Sequence, residues 1–209
     1  MYKRQLQEEI NTQFGFSKSR EEVSSRLISR LYKPKGNLSS ILSNKIVTIV
    51  GAGITAEEEF ITDGIKIAAD GAVSACLERN IIPEIIVTDL DGNLPEMVWA
   101  NKKGSKVVVH AHGDNLSRLF EFSTEIQAIS LTTTYPSPNT NCWGGFTDGD
   151  RALMMSLSFD ASSVNLVGFN FEKIGEYTGK YRPKKLQKLS WARKIVEKCE
   201  QETGKIQIF

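Results

Sequence analysis

Residues 84–92 read Glu-Ile-Ile-Val-Thr-Asp-Leu-Asp-Gly, an apolar, β-branched run that ends in two carboxylates and a glycine. A short run of this kind has the composition of a strand buried on both faces of a sheet. Gly92 permits a tight turn directly after it. Comparable runs stand on either side, at 45–50, 65–69, 106–110, 126–131, 164–168 and 205–209. Amphipathic stretches separate them and predict helices near 56–62, 72–79, 95–103, 116–122, 148–158 and 184–202. Alternation at this spacing predicts an α/β fold: an open, mainly parallel sheet of about six or seven strands with helices on both faces.

Upstream of the first run the chain is polar and helical in character. Phe14, Phe16, Val23, Leu27 and Leu31 form a rough apolar stripe, and the turn-rich Lys-Pro-Lys-Gly-Asn at 33–37 closes the segment. The expected organisation is an N-terminal helical extension, 1–44, packed on an α/β domain, 45–209. Within 209 residues one core of good size is expected. Lys plus Arg number 26 against 25 Asp plus Glu, so no global field draws nucleic acid or an anionic membrane. Cys76, Cys142 and Cys199 are odd in number and far apart, which argues against a disulfide framework and for a reducing, cytoplasmic setting. The first residues lack an apolar signal core, and no run approaches the roughly 20 apolar residues of a membrane span.

The aspartates carry the functional signal. Of eight in the chain, Asp70, Asp89, Asp91, Asp114, Asp148 and Asp150 follow a strand or open a helix; Asp63 and Asp160 do not. In an open parallel sheet the carboxyl ends of the strands line one crevice, so these six are expected to converge there. Clustered carboxylates repel one another unless a cation intervenes. Hard oxygen ligands with few histidines and no cysteine cluster favour Mg²⁺, which commonly bridges carboxylates to substrate phosphates. The competing explanation is helix capping, since an aspartate before a helix satisfies free N–H groups without chemistry.

Asp-x-Asp after an apolar strand occurs in several enzyme types. Haloacid-dehalogenase-type phosphatases begin in this way, but here Asn93 stands where they carry Thr or Val, and the motif lies deep in the chain. Glycosyltransferases also carry it, with low specificity. The turn Gly51-Ala52-Gly53 followed by Asp70 mimics a dinucleotide fingerprint, yet Glu57, Glu58 and Glu59 crowd the position where a pyrophosphate would sit. Gly51 and Gly53 are therefore expected to let the backbone approach some other phosphate ligand closely. His110 and His112 share one face of a strand end beside Asp114; zinc would need a further ligand, so His112 is expected to bind phosphate or a carboxylate, and His110 is equally a satisfied buried residue.

Residues 135–151, YPSPNTNCWGGFTDGDR, form a loop too polar for core. Asn141, Trp143 and Thr147 offer amide contacts, a stacking surface and a hydroxyl to a substrate, although Trp143 equally suits loop packing. Asn115 and Asp148 are expected to join them. In the basic run 180–188, Lys180 and Arg182 are expected on phosphate, with Lys185 and Lys188 as solvated surface.

Five ordered blocks, GAG, IAADGA, PEIIVTDLDG, HAHGDN and GGFTDGDRA, span about residues 46 to 175 and together resemble the archaeal 6-hydroxymethyl-7,8-dihydropterin pyrophosphokinase family, which is related in fold to thiamine pyrophosphokinases. The resemblance implies ATP-dependent transfer of a pyrophosphoryl group to the pterin hydroxymethyl oxygen, releasing AMP. It makes Asp89, Asp91 and Asp114 catalytic and Mg²⁺-binding, with Asp150 completing the metal set and Asp70 on the nucleotide. A homodimer is an expectation of the same origin. The chain departs from the family after GAG, where ITAEEE replaces the family's Pro and Ser. Two alternatives stay open: a thiamine pyrophosphokinase with a similar acidic cleft, and a nucleotide-binding module without catalysis.

Overall fold

A computed structural model describes residues 4–58, 63–178 and 184–209. Its seven strands are β1 (Ile46–Val50), β2 (Ile65–Ala69), β3 (Ile85–Thr88), β4 (Lys106–Ala111), β5 (Ala128–Thr133), β6 (Ser163–Val167) and β7 (Ile206–Ile208). They form one sheet in the order β5-β4-β3-β2-β1-β6-β7, and every pairing is parallel. The described helices are α1 (Arg4–Phe14), α2 (Lys18–Leu31), α3 (Ser39–Leu42), α4 (Ala72–Glu78), α5 (Leu94–Lys102), α6 (Leu116–Glu121), α7 (Asp148–Ser158) and α8 (Lys185–Thr203).

Burial explains the strand composition. All four residues of β3 are buried, as are the last four of β1 and β6, so β-branched side chains fill both faces of the sheet. One face packs under α2, α4, α5 and α6, where Ile28, Val73, Cys76, Met97 and Leu119 meet Val50, Ala68, Ile86 and Val109. The other packs under α3, α7 and α8, where Leu42, Leu153, Met155, Ile195 and Val196 meet Ile49, Ile67, Val87 and Leu166. α1 lies outside these layers and is fastened to α8: Ile10 and Phe14 pack on Trp191, and the Trp191 indole donates to Gln13 Oε1 at 2.8 Å. Burying two such apolar side chains contributes about 2 kcal/mol each, enough to hold one short helix in place.

Two elements depart most from expectation. β5 continues to Thr133 because Thr132 and Thr133 pair with His110 and Ala111, a register that a hydrophobic pattern ending at Leu131 does not reveal. Of the helix expected over 56–62, residues 56–58 form a turn and 59–62 lie outside the described residues.

The strand order fixes where a ligand can bind. From β1 the chain lays β2 to β5 progressively to one side, then returns to the other side of β1 for β6 and β7. A crevice opens at such a reversal, beyond the carboxyl ends of the two strands concerned. Here it lies between the turns after β1 and β6. Gly51 N–H bonds Val167 O at 2.8 Å and Gly53 N–H bonds Gly168 O at 3.1 Å. A Cβ on Gly51 or Gly53 would stand 2.7 Å from Gly168 O, so this close approach excludes side chains at both positions.

Candidate active site

Three carboxylates meet at the ends of β2 and β3. One oxygen each from Asp70, Asp89 and Asp91 lies within 4.8 Å of the others. Asp70 leaves β2 with φ +45, a left-handed conformation that costs on the order of 1 kcal/mol in a non-glycine residue. Two hydrogen bonds hold it there: Thr88 Oγ1 donates to Asp70 Oδ1 at 2.6 Å, and Gly92 N–H reaches the same oxygen at 3.3 Å. The sequence suggested a tight turn at Gly92, but the structure shows a different need. A Cβ there would stand 2.6 Å from Asp70 Oδ2, so glycine makes room for the carboxylate.

These groups are in electrostatic conflict. Burial, then the charges of Asp89 and Asp91, raise the Asp70 carboxyl well above the usual carboxylate range. Burial and the charges of Asp89 and Asp70 do the same to Asp148 at the start of α7, with Arg151 opposing. Asp89 runs the other way: burial opposes ionisation, but a hydrogen bond from His112 and the positive charges of Lys188 and Arg151 outweigh it and hold the group at about 2. Two unit charges at this spacing repel by roughly 3–4 kcal/mol at an effective dielectric near 20. An arrangement of hard oxygens that repel one another at this spacing suits a divalent cation.

The loop after β4 secures Asp89. His112 donates from Nε2 to Asp89 Oδ2 at 3.1 Å, while its Nδ1 accepts Asp114 N–H at 3.2 Å, which fixes the tautomer. Asn115, expected on the substrate, is instead a buried latch. Its amide donates to Asp89 O at 2.7 Å and His110 O at 2.8 Å, and its oxygen accepts His112 N–H at 3.1 Å. His110 is buried, with Nδ1 3.1 Å from Thr132 O, and burial followed by the charge of Arg151 pushes it well below its ordinary range. Asp114 lines the cleft but is exposed, lies 3.7 Å from Arg20 and is not in the close carboxylate group.

Helix α7 explains a second departure from expectation. Asp150, expected on metal, has no exposed surface and serves as the third residue of a capping box. Its oxygens accept the N–H groups of Phe146 at 2.6 Å and Thr147 at 2.7 Å, and the Thr147 hydroxyl as well. Thr147 lines the cleft while capping the helix. Asn141 donates to Ser130 Oγ at 3.0 Å and bridges backbone beside β5. Trp143 packs edge-on against Phe159 on the α7 side of the core and does not line the cleft.

The cleft encloses about 620 Å³. Besides the groups above, Gly51, Gly53, Arg151, Lys184, Lys185 and Lys188 line it, as do residues of α1. Lys185 and Lys188, read from sequence as solvated surface, therefore face the site. Lys180 and Arg182 lie outside the described residues. Arg151 escaped the sequence reading. It is 6% exposed, its Nε has no hydrogen-bond partner among the described residues, and Asp148 Oδ1 lies 3.9 Å from it. An arginine three residues after a helix-opening aspartate was the available signal, but only the fold shows it pointing into the crevice.

A doubly wound α/β sheet whose acidic cluster, at the ends of β2 and β3, shares one cleft with the turns at the β1–β6 reversal and with Arg151, Lys184 and Lys188 has the composition of a phosphate-handling class of site. Comparison with known proteins narrows this. Residues 26–176 match the model of the MptE-like 6-hydroxymethylpterin diphosphokinase family, and the chain belongs to that family. It is 35% identical to the 6-hydroxymethyl-7,8-dihydropterin pyrophosphokinase of Pyrococcus furiosus, over 91% of this chain and 89% of the relative. The protein of the same name from Methanocaldococcus jannaschii is 34% identical over 90% of each chain. A thiamine pyrophosphokinase structure from Bacillus subtilis covers 79% of this chain and 60% of its own, at 14% identity and a TM-score of 0.37.

Proposed function

We propose that the protein transfers the β,γ-pyrophosphoryl group of ATP to the hydroxymethyl oxygen of 6-hydroxymethyl-7,8-dihydropterin. Family membership supports the reaction, and the observation that carries it to particular residues is the Asp70, Asp89 and Asp91 group at the carboxyl ends of β2 and β3. The donor set fits Mg²⁺: three carboxylates within reach of one ion, with raised affinity for protons at Asp70 that a cation would replace. Bound there, Mg²⁺ would neutralise charge on the β- and γ-phosphates.

The remaining work falls to the chain itself. His112 bonds the Asp89 carboxylate while Asn115 holds the Asp89 backbone carbonyl, so the side chain is positioned before substrate arrives. Gly51, Gly53 and Gly168, whose turns pack against one another, line the cleft and would present backbone to the nucleotide. Lys184, Lys188 and Arg151 line the same cleft and would supply positive charge for the transferred phosphates. In the reaction the pterin oxygen forms a bond to the β-phosphorus, the bond from that phosphorus to the α,β-bridging oxygen breaks, AMP departs and the alcohol proton is released. Positioning and charge stabilisation account for catalysis of this type. Three free cysteines suit a reducing cytosol as the setting.

The test is incubation with Mg-ATP and 6-hydroxymethyl-7,8-dihydropterin, with thiamine in a parallel reaction. AMP formed in step with pterin diphosphate is the expected result. AMP with thiamine alone moves the acceptor, and nucleotide binding without AMP removes the enzyme reading.

A further inference from the structure

One buried carboxylate at the cleft has no part in the mechanism above. Glu21, in the first turn of α2, is 5% exposed yet lines the cleft. Its Oε1 accepts Gly113 N–H at 2.8 Å, and its Oε2 accepts no hydrogen bond among the described residues. No cation pairs with it there: the neighbouring Arg20 turns to Asp114 at 3.7 Å and to Gly113 O at 3.0 Å. A carboxylate oxygen that faces a cleft without a protein donor is completed by water or by the N–H of a ligand.

The surroundings say what ligand would do so. Gly113 directly follows His112, so Glu21 is tied to the loop that orients Asp89 and lines the same cleft as Asp89 and Asp91. The α1–α2 elbow that carries Glu21 also brings Phe14 and Phe16 to the cleft, where they meet Phe146 with ring centroids 4.9 and 6.2 Å away. Lys184 and Lys188 stand 5.8 and 5.5 Å from the Phe14 and Phe146 centroids, and an aromatic wall that shares its cleft with a carboxylate suits a flat heterocycle with adjacent N–H donors on one edge. A 2-amino-4-oxopteridine has this edge: its N3–H and exocyclic amine point the same way, spaced for the two oxygens of a carboxylate. The aminopyrimidine of thiamine instead sets its amino group beside an unprotonated ring nitrogen, whose lone pair would face the carboxylate.

We propose that Glu21 reads the acceptor, taking hydrogen bonds from N3–H and the 2-amino group of the pterin while Phe14, Phe16 and Phe146 wall its ring. This rests on the pterin reading of the site. It makes the N-terminal helices the part of the chain that determines specificity, and the acidic cluster the part that performs transfer.

Glu21→Gln tests it, because the amide oxygen can still accept Gly113 N–H while the amide nitrogen opposes the pterin donors. The expected result is a KM for the pterin raised about 10- to 100-fold, with the KM for ATP and the Tm unchanged. Wild-type affinity for the pterin overturns the proposal, as does an equal loss for ATP with a lowered Tm, which would show that the carboxylate only holds the loop. A second arm needs no variant: the wild-type enzyme should bind the 2-oxo analogue, 6-hydroxymethyl-7,8-dihydrolumazine, about 10-fold or more weaker than the dihydropterin, and equal binding overturns the proposal. If the wild-type protein neither binds nor converts the pterin, the function proposed above has failed; if it does both and Glu21→Gln matches it, only the present inference has.

Discussion

The ends of β2 and β3 and the first turn of α7 carry the same side chain to opposite purpose. Asp150 is completely buried and stable because backbone N–H groups of Phe146 and Thr147 and the Thr147 hydroxyl occupy its oxygens. Asp70 is part-buried beside Asp89 and Asp91, and its proton affinity rises through burial and their repulsion. The lesson is that a carboxylate's role follows from what already satisfies its oxygens. Saturated, it holds structure; crowded by its own kind, it holds a site open for a cation.

Substitutions at the two places should therefore separate activity from stability. The largest effect is expected for Asp89→Asn, with turnover lower by about a thousandfold or more and Tm within a few degrees of wild type, measured by AMP release and thermal melting. Asp150→Ala should reverse this pattern, lowering stability by about 2–3 kcal/mol, or roughly 5–10 °C in Tm, while turnover per folded molecule stays within about tenfold. Asp70→Asn should give a smaller change of unusual sign: in metal-free protein its Tm should rise, by on the order of 1 kcal/mol of stability, because repulsion is relieved while the oxygen bonded to Thr88 remains. A lowered Tm in that variant would break the comparison.

A pH dependence sharpens the account of the buried end of β4. His110 is held neutral by burial, so its folded pKa lies below that of the unfolded chain. Its contribution is present above an unfolded pKa of about 6.5 and is lost as pH falls, because the unfolded state takes up the proton first. Wild-type stability should decline by up to about 1.4 kcal/mol per pH unit below 6.5 through this residue, and His110→Gln should flatten that limb in denaturant melts at pH 5 to 7.

Much of this arrangement was legible in the sequence. Continuous β-branched runs mark fully buried strands, and α7 begins and ends where the sequence placed it, at Asp148 and Ser158. Aspartates after strands pointed to the crevice because parallel topology leaves few other places for them. What stayed hidden was how individual polar groups are consumed by the backbone. Asn115 and Asn141 look like substrate contacts in the sequence and are latches in the fold, and Asp150 looks like a ligand and is a cap. Spatial convergence over long separations was equally invisible: Glu21 meets Gly113 across 92 residues, and Lys188 reaches a cleft that local charge patterning could not foretell.

Manganese titration followed by electron paramagnetic resonance, with a non-hydrolysable ATP analogue present, tests the central claim most directly. Wild type and folded Asp150→Ala should both bind the ion, and Asp89→Asn should bind at least a hundredfold more weakly. Equal binding by Asp89→Asn and wild type, or loss of the ion in folded Asp150→Ala, would contradict the assignment of the β2 and β3 carboxylates as the metal site.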